Sequence, residues 1–221
     1  MTQTAPPTFT AVIFDLDGTL LDTEAAAMRA GVLAFETLGI EIEEDFLHRL
    51  VGKDYDAGAQ IIAAEFGDID TDRLNTEWSA TTSRLRQRDG VPLKPGAADL
   101  LAHLSDLGVP LALATSSHDQ SATEKLQISG LDRYFPIVVT RDSVQRAKPA
   151  PDPYLLAADR LGHAPTACLV FEDSEPGAES AHTAGACVVQ VPDILPTEGR
   201  FAHHVAETLM DGARWAGLLG R

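Results

Sequence analysis

Apolar residues along this chain fall into two kinds of pattern. Short, largely apolar runs occur at residues 9–14 (FTAVIF), 109–114 (VPLALA), 136–140 (PIVVT), 167–171 (ACLVF) and 186–191 (ACVVQV). Runs of this length, rich in β-branched residues and bounded by turn formers, are the pattern of strands buried on both faces. Between them lie stretches with helical periodicity, so strand and helix alternate. The expectation is an α/β fold with a doubly wound parallel sheet covered by helices on both sides.

One interval breaks the alternation. From residue 23 to residue 90 only helical patterns occur, at 25–38, 43–50, 57–66 and 71–88. The segment LKPGAADLLAHL then gives a proline and glycine junction followed by an amphipathic helix. The chain is therefore expected to form an α/β core domain from residues 1–22 and 91–221, with an all-helical domain inserted over residues 23–90. Residues 208–219 read as a terminal helix. No internal repeat or low-complexity tract is present.

Composition narrows the class. Over 221 residues the apolar share is 44%, enough for a sizeable core. No apolar run approaches the roughly 20 residues a bilayer requires, and no basic-then-apolar segment stands near residue 1, so the expected location is the cytoplasm. Cys168 and Cys187 sit in apolar runs without CxxC spacing and read as buried thiols. The formal charge of −16 repels phosphate backbones and anionic lipid surfaces, so neither nucleic acid nor a membrane is an expected partner. The same field opposes small anionic substrates. An enzyme acting on phosphate with this charge needs a bound cation and at least one local lysine.

In an open parallel sheet, ligands gather at the carboxyl ends of the strands. The first apolar run ends in Asp15 and Asp17, the second in Thr115 and Ser116. Lys148 follows a later run, and another ends in Glu172 and Asp173. Asp15 and Asp17 alone could be turn residues, and Glu172 and Asp173 alone could belong to a helix start. Together they repel one another if their strands are neighbours, and a hard divalent cation held by oxygens, Mg²⁺ rather than Zn²⁺, relieves that repulsion.

With these residues in view, the sequence resembles the haloacid dehalogenase-like superfamily, in its phosphatase and phosphomutase branch with a helical cap inserted after the first motif. FDLDGTLLDTE, LALATSS, AKPAPDPY and FEDSEPG match the four family motifs in order, over nearly the whole chain. The resemblance implies a Rossmann-like core and an aspartyl-phosphate formed on Asp15. It makes Asp17 the acid and then the base, with its main-chain carbonyl on the metal. It puts Mg²⁺ among Asp15, Asp17, Glu172 and Asp173, with Asp173 a direct ligand and Glu172 either a direct ligand or one step behind, Lys148 on the charge of the transferring phosphoryl group, and Thr115 and the Ser116 amide on its oxygens. The implied partner is a small phosphorylated metabolite: a sugar phosphate, a phosphoglycolate-like acid or a nucleoside monophosphate. Nothing in the sequence fixes an oligomeric state.

Within that branch, β-phosphoglucomutases typically carry a histidine four residues after the hinge threonine; here the threonine is Thr23 and Ala27 stands in that place. Tyr55 aligns with their cap arginine. Both departures favour hydrolysis over transfer between sugar positions. Asp17 argues against dehalogenation and phosphonate cleavage, which use no second acid there. Substrate choice is expected from the cap, where Lys53 in VGKDYD either reaches the site or is a solvated lysine at a helix start. His118 either touches substrate or is a polar helix start. A catalytically silent binding protein on the same scaffold is the reading of another class; such proteins usually lose a motif acid, and all are present here.

Overall fold

A computed structural model describes residues 9–50 and 55–219. The expected cap residue Lys53 lies outside the described residues, as do residues 1–8. The chain divides into two compact units, Met1–Asp22 with Val91–Arg221, and Thr23–Gly90.

The larger unit is built on one parallel sheet: β1 (Ala11–Phe14), β2 (Leu111–Ala114), β3 (Ile137–Val139), β4 (Cys168–Glu172), β5 (Cys187–Gln190) and β6 (His204–Val205), in the spatial order β3-β2-β1-β4-β5-β6. The fold is the α/β, Rossmann-like one expected. Its helices are α5 (Ala97–Asp106), α6 (Asp119–Ser129), α7 (Asp152–Leu161), α8 (Glu175–Thr183) and α9 (Leu209–Trp215). The four helices that precede these in the chain belong to the other unit.

Strand alternation sorts β1 onto both faces. Val12 and Phe14 join a core with Leu100, Leu101 and Leu104 of α5, Leu126 of α6 and Ala213 of α9. Ala11 and Ile13 face the other way, toward Tyr154, Ala157 and Ala158 of α7 and Ala178 and Ala181 of α8. Phe14 stacks on Phe171 across the β1–β4 pair, with ring centroids 5.1 Å apart. The central strand is therefore dry on both sides, and its carboxyl end is held rigidly.

Several elements are shorter than the sequence reading, the terminal helix among them, which spans Leu209–Trp215 rather than 208–219, and two differences have a clear physical cause. The second strand starts at Leu111, because Pro110 has no N–H and contributes only its carbonyl, which accepts from Val12 N at 3.0 Å. The two-residue edge strand β6 was not expected: AHHVAE contains no apolar run, and backbone pairing to Val189 and Gln190 makes it a strand.

The helical unit contains α1 (Glu24–Thr37), α2 (Glu44–His48), α3 (Tyr55–Phe66) and α4 (Thr71–Asp89). Met28, Ala34, Phe35, Leu47, Ile62 and Leu74 form its own core. The Trp78 indole donates to Ala27 O at 2.8 Å and ties α4 to α1. Among the described residues no helix is long and apolar enough to cross a membrane.

Candidate active site

The parallel order puts the carboxyl ends of β1, β2 and β4 side by side. Asp15 continues β1 by one residue, its N–H donating to Phe171 O at 3.0 Å, and Thr115 continues β2 in the same way toward Val139 O at 2.9 Å. Glu172 is the last residue of β4 and Asp173 follows it. Lys148 comes from the loop before α7, next to a cis peptide bond with Pro149. That loop is anchored by Ser180 of α8, whose hydroxyl donates to Ala150 O at 2.6 Å.

These side chains meet in one buried network. The Lys148 ammonium donates to Asp15 Oδ1 at 2.7 Å and to Glu172 Oε1 at 2.6 Å. Glu172 is fully enclosed, and both of its oxygens are used: the Tyr154 hydroxyl also reaches Oε1 at 3.0 Å, while the Ser174 amide and hydroxyl each reach Oε2 at 2.9 Å. Gly177, in the first turn of α8, makes room for this carboxylate, since a Cβ there would lie 1.7 Å from Glu172 Oε1. Asp173 Oδ1 accepts from Thr19 at 3.1 Å, and Gln190 donates to the Asp173 carbonyl at 3.2 Å. Gly18 turns the loop after β1 with φ 82°, and its missing Cβ would stand 2.5 Å from Asp173 Oδ2.

The charge balance is uneven. Carboxylate oxygens of Asp15, Glu172 and Asp173 lie within 4.8 Å of one another, with Lys148 among them. Burial, then repulsion from Glu172 and Asp17, pushes the Asp15 carboxyl up to about 7 against the pull of Lys148. Burial followed by the Glu172 and Asp15 charges lifts Asp173 well above the carboxylate range. Burial works against the Glu172 charge too, yet Lys148 and the Ser174 donors hold its pKa below the usual value. Burial likewise works against the Lys148 ammonium, but Asp15 and Glu172 outweigh it and keep the lysine charged. Protein groups alone leave two of the carboxylates short of positive charge. The donor set is oxygen only, so a hard divalent cation such as Mg²⁺ fits it.

Asp17 stands beside this group, close enough for its charge to act on Asp15. Its Oδ2 accepts from Ser117 Oγ at 2.8 Å and from the Lys125 ammonium, which also donates to Ser117 Oγ at 2.6 Å. Thr115 is buried, and its Oγ1 accepts from the Ser117 amide at 3.1 Å; Ser116 beside it is exposed. His118 is exposed and its Nδ1 pairs with Asp142 Oδ1 at 2.7 Å, so within the described residues its contact is with a neighbouring loop.

Asp15, Lys148, Glu172 and Asp173 are thus brought together directly, and Asp17 and Thr115 border them. Sequence reasoning assigned no role to Tyr154, Ser174, Ser117, Thr19 or Lys125. Tyr154 and Ser174 stand inside the AKPAPDPY and FEDSEPG segments, which is a usable signal. Lys125, inside a polar-looking TEKLQ, gives none.

A family described as haloacid dehalogenase-like hydrolase matches residues 9–185. A phosphorylated carbohydrates phosphatase of Thermotoga maritima is 36% identical over 79% of this chain and 81% of its own length. Hexitol phosphatase A of Escherichia coli is 36% identical over 81% of each chain. Among solved structures, a HAD family hydrolase of Deinococcus radiodurans, described with bound phosphate and sodium, is similar at TM-score 0.79 and 29% identity, covering 98% of this chain and 99% of that one.

Proposed function

Because the chain belongs to the haloacid dehalogenase-like hydrolases, we propose that it is a Mg²⁺-dependent phosphatase cleaving phosphate monoesters of small carbohydrates or polyols through an aspartyl-phosphate on Asp15. The named relatives are phosphatases, and the chain is a phosphoric monoester hydrolase. The single observation that carries the reading is the contact of Lys148 with Asp15 inside a group of three carboxylates at the sheet edge.

Each residue has a part in the proposal. Asp15 attacks phosphorus, and its position on a rigid strand end fixes the line of attack. Lys148, held charged by Asp15 and Glu172, neutralises charge on the phosphoryl oxygens. Thr115 Oγ1 already accepts from the Ser117 amide, so its own proton is left to donate to a phosphoryl oxygen, with the Ser116 amide as a second donor. Asp15, Asp173 and the Asp17 carbonyl would hold Mg²⁺, with Glu172 fixing Lys148 from behind. When bound, the cation supplies the positive charge that lets these carboxylates stay ionised and that the phosphoryl group needs. Asp17 gives a proton to the departing alcohol and takes one from the water that hydrolyses the intermediate.

A sugar phosphomutase is the weaker reading, since Ala27 offers only a methyl group four residues after Thr23 and its carbonyl is engaged by Trp78. The test is phosphate release from a panel of hexose and hexitol phosphates, phosphoglycolate and nucleoside monophosphates at fixed Mg²⁺. Carbohydrate esters should rank first, and Asp15→Asn or a chelator should abolish turnover. Undiminished turnover by Asp15→Asn would refute the proposal.

A further inference from the structure

Lys125 occupies a place on α6 where helix packing would ordinarily put an apolar residue. It lies between Ala122 and Leu126 on the buried face, and its side chain is 2% exposed. Burying an ammonium is strongly unfavourable unless its partners replace water. Those partners are Ser117 Oγ, at 2.6 Å, and Asp17 Oδ2, and Ser117 Oγ itself donates to the same Asp17 oxygen at 2.8 Å. Three groups, from the loop after β1, the loop after β2 and α6, therefore close on one another.

Asp17 is where such a clamp has a use. Its side chain is 28% exposed and sits on a turning loop, so on its own it would sample several rotamers. An acid that must meet one particular oxygen cannot do so. A buried lysine on a helix is a stiff support; the hydroxyl of Ser117 fixes the direction of approach.

We infer that Lys125 is a positioning residue for proton transfer, holding the Asp17 carboxyl, with Ser117, in the orientation from which it protonates the departing oxygen. The inference rests on the phosphatase reading and adds a residue absent from it. In the first step an Asp15 oxygen bonds to phosphorus, the bond from phosphorus to the ester oxygen breaks, and that oxygen takes the Asp17 proton, leaving a carboxylate beside the Lys125 ammonium. In the second step a water oxygen bonds to phosphorus, its proton passes to Asp17, and the bond from Asp15 to phosphorus breaks. In this role Lys125 acts through Asp17 and Ser117 rather than on the substrate itself.

The leaving group supplies the test. kcat/KM reports only steps up to its departure, and an alkoxide needs a proton where dinitrophenolate needs none. For Lys125→Met, kcat/KM on a hexitol phosphate should fall about 30- to 100-fold, the scale of a misplaced catalytic group. On 2,4-dinitrophenyl phosphate it should fall less than about threefold, and Lys125→Arg should recover part of the loss. In an Asp17→Asn background, Lys125→Met should cost nothing further. Equal losses on both esters, or additive losses with Asp17→Asn, would overturn the inference and leave Lys125 a purely structural residue. If Lys125→Met does not fold, Ser117→Ala takes its place, with the same split expected and an even loss overturning it. A wild-type chain inert toward both esters, or an active Asp15→Asn variant, refutes the phosphatase reading and this inference together.

Discussion

The Lys148 ammonium lies 2.7 Å from the Asp15 carboxylate, with both side chains almost wholly enclosed. Removing one partner of a buried network leaves an uncompensated charge, here chiefly that of Glu172, which shares the same lysine. Lys148→Met should therefore lower kcat by about 10²- to 10³-fold, the usual effect of losing one electrostatic stabiliser at a reacting centre. It should also lower stability by about 3 kcal/mol at neutral pH without Mg²⁺. Steady-state kinetics and urea unfolding check the two effects. A variant with near-normal kcat would show that Lys148 only balances charge in the fold.

Gly177 provides a way to move Glu172 without changing its charge. A Cβ at this position would lie 1.7 Å from Glu172 Oε1, far inside van der Waals contact. Gly177→Ala should thus push the carboxylate off Lys148 and Tyr154 even though alanine is the better helix former by about 1 kcal/mol. Overpacking of this kind costs about 1–3 kcal/mol. The expected outcome is a folded protein with a lower Tm and kcat reduced at least about tenfold. Retention of full activity would mean that Glu172 need not hold Lys148 in place.

The acid cluster predicts a linkage between pH and cation binding. In the metal-free protein Asp15 keeps its proton up to about 7, against 3.8 for an ordinary aspartate, chiefly through burial. The unfolded chain has released that proton by then, so this contribution to stability is fully present below about pH 4 and is lost as pH rises through about 7. A cation competes with the proton for the same oxygens. The rise in Tm produced by a fixed Mg²⁺ concentration should accordingly grow from pH 5.5 to pH 8, and Asp15→Asn should flatten the dependence. A Mg²⁺ shift independent of pH in the wild type would exclude Asp15 from the cation site.

These outcomes depend on residues that were unequally legible in the sequence. Asp15, Glu172 and Asp173 follow apolar runs directly, so once the runs are read as neighbouring strands their meeting at one edge follows from topology. Lys148 lies nine residues beyond the end of β3, and the family motif rather than the apolar pattern singles it out. Lys125 and Ser117 were not legible in this way. Their association with Asp17 depends on the rotation of α6 about its axis, and a lysine in a helix reads as solvent-facing unless tertiary packing says otherwise. The edge strand β6 escaped for a related reason: its pairing partner, not its composition, makes it a strand.

The last prediction concerns the helical unit and decides between two opposed effects. Gly31 lies in the middle of α1, where glycine is expected to cost about 1 kcal/mol relative to alanine, so propensity alone makes Gly31→Ala stabilising. Packing says the reverse. A Cβ at this position would stand 2.6 Å from Trp78 Cζ2 and 2.8 Å from Leu47 Cδ1, the leucine inside the core of the unit and the indole packed against it. The indole cannot slide away freely, because its N–H is held by Ala27 O at 2.8 Å. Relief therefore requires α1 and α4 to separate or that hydrogen bond to break, at about 1–3 kcal/mol, and the steric term should win. Gly31→Ala should unfold at lower urea concentration and shift Trp78 emission to longer wavelength, read in a Trp215→Phe background. An increase in stability would show that Trp78 repacks without cost, and that the glycine serves no close approach between the two helices.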